Sequence, residues 1–201
     1  GPMSRGLGDV YKRQAGDPAT CYKELLKRPK KPSMASIPGL PKHYSMGLYV
    51  LYFGTKKLYP DIAHHSIWMG PRFREHLADI FDRKHLADDF SLYLHRPTAT
   101  DQSFAPEGCE SFYVLCPVPN LQGNVDWSVQ GEKLRDKILE ALESTILPDL
   151  SEVIEEVFWM TPEDFANDYR SMHGAGFSIA PRLTQSAYFR YHNRDLSLIH
   201  I

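Results

Sequence analysis

Residues 45–53, SMGLYVLYF, are apolar at nearly every position, and this run constrains the fold more than any other stretch. A strand with one face in water alternates polar and apolar residues, so an unbroken apolar run suits a strand covered on both faces. A central strand is therefore expected, and it needs neighbours. After the turn-rich GTKKLYPD, the segment HHSIWMG at 64–70 predicts a second, short strand. In FSLYLHRPT at 90–98, Phe90, Leu92 and Leu94 alternate with Ser91, Tyr93 and His95; SFYVLCPVP at 111–119 repeats the manner. Pro97 and Pro117 end these strands, and TATDQSFAPEGCE between them reads as a connection.

Three segments carry helical spacing. PRFREHLADIFDRK at 71–84 places Pro71 at a first helical position and Phe73, Leu77, Ile80 and Phe81 on an apolar stripe. The clearest helix is predicted over 131–147, with Leu134, Ile138, Leu142 and Ile146 in line, Leu139 beside them and Pro148 after the end. A further helix starts at TPEDF, where Thr161 can cap, Pro162 takes the first turn and Asp164 completes a box-like pattern. Strands and helices do not alternate strictly, which predicts an α+β fold with a mixed, largely antiparallel sheet and flanking helices.

The formal charge of −2 gives no general attraction for nucleic acid. The one basic cluster, KELLKRPKKP at 23–32, is short and broken by proline; it reads as a solvated linker before it reads as a contact for anionic lipid. Cys21, Cys109 and Cys116 are odd in number and form no Cys-x-x-Cys unit, which suits a reducing compartment. No apolar run approaches the ~20 residues needed to span a bilayer. The ends have a different character: GPM reads as a protease-cleaved tag scar, and SRGLGDVYKRQ and LSLIHI resemble translated adaptor sequence of fragmentary environmental assemblies. The expected organisation is thus 1–14 scar and adaptor, 15–37 flexible basic linker, 38–195 the folded domain, and 196–201 an adaptor-derived tail.

Familiar catalytic signatures are missing: the chain has no G-x-S-x-G, no H-E-x-x-H and no P-loop. Gly174 and Gly176 begin a dinucleotide fingerprint, but its third glycine is Ile179, so a turn is the better reading. His64 and His65 invite a metal, yet neighbours on a strand point to opposite faces, and no metal is expected. One of the pair would then bond in the interior while the other meets solvent or a ligand wall. Asp82, Asp88 and Asp89 lie among Arg83, Lys84 and His85 and read as a solvated turn.

Three long blocks then carry a resemblance: LYVLYFGTKKLYPDIAHHSIWMGPRFREHLADIFD, ADDFSLYLHRPTATDQSFAPEGCESFYVLCPVPNLQGNVDW and FSIAPRLTQSAYFRYHNRD. In this order, over roughly 38–195, they closely resemble the C-terminal half of bacterial and fungal-type phytoene desaturases, FAD-dependent carotenoid oxidoreductases of the flavin amine oxidase-like group. The resemblance implies a parent enzyme that introduces double bonds into phytoene or a related apolar polyene, cytoplasmic and peripheral to a membrane. It places the chain in the substrate domain, without either flavin-binding segment, so no flavin and no activity are expected of the chain alone. No catalytic residue is carried over. Arg190, His192 and Arg194 are candidates for flavin contact, and His64, His65, Trp68 and Phe177 for the polyene path. Ala180 before Pro181, Tyr188 and Tyr191 depart from the family pattern and leave the particular carotenoid open. The competing expectation is a stand-alone module that binds an apolar ligand or a membrane surface without catalysis. Loss of domain partners would also leave apolar faces that favour self-association.

Overall fold

The computed structural model describes residues 16–21, 24 and 43–186. Its frame is a five-stranded sheet of β1 (Gly47–Thr55), β2 (His65–Trp68), β3 (Leu92–His95), β4 (Glu110–Val118) and β5 (Ile154–Met160). The strands lie in the order β2-β3-β4-β1-β5, and every pairing is antiparallel. The longer helices are α1 (Phe73–Ala78), α2 (Trp127–Thr145) and α3 (Pro162–Asn167), with single turns at Pro18–Thr20 and Leu150–Val153. The α+β fold expected from the sequence is the one observed.

The apolar run becomes β1, flanked on both sides by β4 and β5. Tyr49, Leu51 and Phe53 point to one face, where Phe112, Val114, Cys116, Leu92 and Leu94 join them in the core. Helix α2 closes that face with Leu134, Ile138 and Leu142, all nearly inaccessible to solvent. It starts at Trp127, four residues ahead of the expected position, because the Asp126 carboxylate accepts from the Ser128 N–H and caps it. The earlier start buries Trp127 against Tyr49, ring centroids 6.3 Å apart. One turn on, the Tyr49 hydroxyl donates to the Gly131 carbonyl at 2.9 Å. A Cβ at Gly131 would stand 3.0 Å from Trp159 Nε1, so the absence of a side chain lets the helix approach this closely.

Strand β5 has no counterpart among the expected strands. Its pairing slips between Gly54 and Thr55, with Glu156 opposite Gly54 and Ile154 opposite Thr55. That extra residue breaks the period of two. The capping box of α3 is as expected, with the Asp164 carboxylate accepting from both the Thr161 N–H and its hydroxyl. Helix α1 differs from expectation in two respects. Pro71 lies in the preceding turn, with Arg72 as the cap residue, and after Ala78 the chain widens into a π-turn over Asp79–Arg83 that ends at left-handed Lys84, φ 53°. The helix turns a different side to the core than the expected stripe: His76 and Ile80 are buried, while Phe73, Leu77 and Phe81 are exposed. Within the stretch expected as a linker, residues 18–20 form one helical turn, and the Thr20 hydroxyl donates to the Arg170 carbonyl at 2.7 Å.

Two outcomes follow from this packing. Ile138 is completely buried beneath the sheet, so Ile138→Ala should cost about 2–5 kcal/mol in a urea titration. Burial holds His76 below the ordinary imidazole range, with Asp89 and Asp79 opposing the shift. The unfolded chain therefore binds the proton more tightly, and the stability from neutral His76 is present above about pH 6.5 and is lost as pH falls through the lower folded value. Thermal midpoints should drop between neutral and mildly acid buffer, and by less in His76→Gln.

Candidate functional site

Helix α2 covers one face of the sheet; the other presents a row of rings. The alternation that turns Phe53, Phe112 and Leu94 inward turns Tyr52, Tyr113 and His95 outward. Register then aligns them. Phe158 on β5 is opposite Tyr52 on β1, Tyr52 opposite Tyr113 on β4, Tyr113 opposite His95 on β3, and His95 opposite His65 on β2. One line of directly paired residues thus crosses all five strands.

The rings touch along that line. Phe158 and Tyr52 stack at 4.7 Å and 12°, Tyr52 meets Tyr113 at 5.9 Å, Tyr113 meets the edge of His95 at 4.7 Å, and His95 stacks on His65 at 5.0 Å and 14°. Tyr93 lies beside the row, 6.0 Å from Tyr113 and 5.7 Å from His65. Each such cross-strand pair contributes roughly 0.2–1 kcal/mol to the sheet, which does not account for leaving Phe158 57% exposed. A run of rings that is half-buried at Tyr52, Tyr113 and His95 and exposed at Phe158 and His65 is what an apolar contact surface looks like. Burial raises the Tyr52 phenol above its ordinary value, and burial together with the Tyr93 hydroxyl does the same to Tyr113, so both stay neutral. His95 is held below the ordinary imidazole value by burial and by His64 and His65. These groups suit apolar recognition; none is a phenolate or carboxylate poised as a base.

The histidine pair behaves differently from expectation. His65 opens β2, but His64 lies in the bend before it, so strand alternation does not separate them. Their ring centroids are 4.1 Å apart, and His95 joins them, its Nε2 3.3 Å from His64 Nε2. The geometric ground for excluding convergence, that both residues sit on a strand, is therefore removed. The bend is held from below: the Arg96 N–H donates to the His64 carbonyl at 2.9 Å. The Arg96 guanidinium in turn donates to Glu110 Oε1 at 2.6 Å, and Glu110 Oε2 accepts from the Tyr59 N–H at 3.0 Å. This ion pair is buried, side chains 9% and 2% exposed.

Other candidates lie elsewhere. Trp68 points to the opposite face from His65 and packs on Phe90 at 5.4 Å against the core. Phe177 is exposed beyond the head of β1, where its N–H donates to Ser45 Oγ at 2.9 Å. Asp88 and Asp89 pair with Lys137 at 2.8 Å and Arg72 at 3.0 Å. Cys116 is wholly buried and its thiol is pushed up to about 12, far from a reactive thiolate. Gly174 is in a left-handed conformation, φ 61°, and a Cβ there would meet the Pro162 carbonyl at 2.1 Å; one at Gly176 would meet Leu48 at 2.3 Å. The chain itself fills both positions, so this turn is not a phosphate cradle. Arg190, His192 and Arg194 lie outside the described residues.

Removing one partner of a buried ion pair leaves a charge without compensation, so Arg96→Ala or Glu110→Ala should cost about 3–5 kcal/mol in chemical denaturation. Breaking a surface pair such as Lys56–Glu155 should shift the transition far less, since solvent screens it.

Comparison with characterised proteins gives a consistent result. The chain is 47% identical over 182 residues to the neurosporene-forming phytoene desaturase of Rhodobacter capsulatus, covering 88% of this chain and 35% of that protein. It is 45% identical over 181 residues to the lycopene-forming phytoene desaturase of Pantoea ananas, covering 90% and 37%, and 49% identical over 162 residues to that of Pseudescherichia vulneris, covering 80% and 33%. No family model matches. The chain spans about a third of the length of the curated relatives it matches. It is homologous to the phytoene desaturases and corresponds to a segment of them.

Proposed function

We propose that the chain is a substrate-domain segment of an FAD-dependent phytoene or related carotenoid desaturase, an enzyme that introduces double bonds into an apolar polyene. In this reading the row from Phe158 to His65 forms a wall along which the polyene lies. The observation that carries it is the alignment of five rings in direct register on the face opposite α2. A long hydrocarbon offers no hydrogen-bond groups, so only shape, apolar area and exclusion of water can hold it. The row supplies shape and aromatic area for such a contact. The kinship favours this reading over a module without catalysis.

Desaturation removes hydrogen from an unactivated C–H bond, which requires an acceptor that no side chain provides. FAD is the acceptor the family implies, and the reading assigns it to segments other than the described ones. The described residues contribute orientation and dryness, and the chain alone is inactive. Helix α1 adds a second apolar surface, where Phe73, Leu77 and Phe81 stand exposed near Arg72, Arg74 and Arg83. No helix among the described residues is long and apolar enough to cross a membrane. An exposed apolar ridge, with Arg72 and Arg83 beside it paired to Asp79 and Asp89, suits contact with a lipid surface instead, from which a polyene would be drawn.

The test is retention of phytoene. The purified chain, mixed with phytoene in detergent and passed through gel filtration, should carry phytoene with it. Phe158→Asp should lower the retained fraction about tenfold or more, since a carboxylate must desolvate against hydrocarbon. Lys133→Asp on the exposed side of α2 should leave retention unchanged. Equal retention by wild type and Phe158→Asp would refute the wall. Retained stoichiometric flavin after desalting with FAD would refute the assignment of the flavin to other segments.

A further inference from the structure

We propose that His64, His65 and His95 form a binding site for a divalent first-row transition metal ion of the zinc class. Each offers a ring nitrogen, and the three nitrogens all lie within 4.8 Å of one another. Two nitrogens bound to one tetrahedral zinc at ~2.0–2.1 Å stand about 3.3 Å apart. His64 Nε2 and His95 Nε2 are 3.3 Å apart.

The surroundings orient the rings for this. His65 and His95 are directly paired across β2 and β3, so backbone hydrogen bonding fixes the spacing of two ligands. The third, His64, is set by the Arg96 N–H on its carbonyl. Its ring stands at 86° to His65 and 78° to His95, while those two lie 14° from parallel. The Tyr93 hydroxyl is 2.5 Å from His65 Nδ1. With Nδ1–H donating to that oxygen, the lone pair is fixed on Nε2, the kind of outer support that metal-bound histidines use. His95 Nδ1 is buried without a hydrogen-bond partner, which makes Nε2 the nitrogen this ring has to offer.

Imidazole ligands without a carboxylate select zinc, copper or nickel over magnesium and calcium. Three protein nitrogens leave a fourth position open, and His65, which is exposed, puts it at the surface. A bound ion would clasp the edge strand β2 and the bend before it onto β3, at the β2 end of the aromatic row.

Titration calorimetry on the chelator-stripped chain tests the proposal with Zn²⁺ alone. One ion per chain should bind with micromolar or tighter affinity, and Co²⁺ should give visible bands of low-symmetry coordination. His64→Ala and His65→Ala should each weaken zinc at least tenfold and abolish the bands. Tyr93→Phe, which keeps the ring and removes only the supporting hydroxyl, should weaken binding about 10–100-fold. His85→Ala, at an exposed histidine elsewhere, should bind as wild type does. Zinc binding weaker than about 1 mM, or equal in wild type and His65→Ala, would overturn the site and leave His64 and His95 as a simple hydrogen-bonded pair. Because His65 is exposed and Tyr93→Phe is conservative, these two variants read the site even where His95 substitutions unfold the chain.

Discussion

A sheet has two faces, and the described chain covers one of them with a helix. Everything else in the molecule follows from that asymmetry. Tyr49, Leu51 and Phe53 on β1 meet α2, whose Leu134, Ile138 and Leu142 leave almost no accessible surface. The intervening Tyr52 turns the other way and meets the rings of Tyr113 and Phe158. A strand of this kind looks uniformly apolar in sequence because each of its faces is apolar for a different reason. One face is core, and the other buries Leu48 and Val50 before it carries the row of rings from Tyr52.

Core and site are joined at the start of β4. Glu110 is buried, takes the Arg96 guanidinium on one oxygen and the Tyr59 N–H on the other, and so ties the loop after β1 to the end of β3. The Arg96 backbone continues the link to His64. A buried ion pair is often no more stabilising than apolar residues of the same volume, and its usual gain is a fixed register. Here the register it fixes is that of β3 on β4, which sets Tyr113 opposite His95 and thereby the line of rings. The histidine cluster depends on the same anchor. The two proposals therefore share a structural foundation but differ in chemistry, one resting on hydrocarbon contact and the other on nitrogen lone pairs.

Much of this was legible in the sequence. The period of two in FSLYLHRPT and SFYVLCPVP named the inward residues of β3 and β4, and the stripe of Leu134, Ile138 and Leu142 named the helix that covers them. Thr161 and Asp164 spelled out their own cap. What escaped was set by relations between distant segments. The slip at Gly54 and Thr55 hid β5 by breaking its alternation, and α1 turns His76 and not Phe73 or Leu77 to the core. The aromatic row is invisible locally, since each strand gives only one or two of its rings and register alone lines them up. His64 and His65 were read as strand neighbours because the sequence does not show that the strand begins between them.

The central claim is that the face bearing the row of rings, and not the one under α2, meets the hydrocarbon. Photolabelling measures this directly. The chain is irradiated with a diazirine-bearing isoprenoid hydrocarbon, digested, and mapped by peptide mass spectrometry. The expected result is label on Tyr52, Tyr113 and Phe158, competed away by phytoene, with the exposed side of α2 unlabelled. Label concentrated on α2, or spread over both faces and indifferent to phytoene, would contradict it.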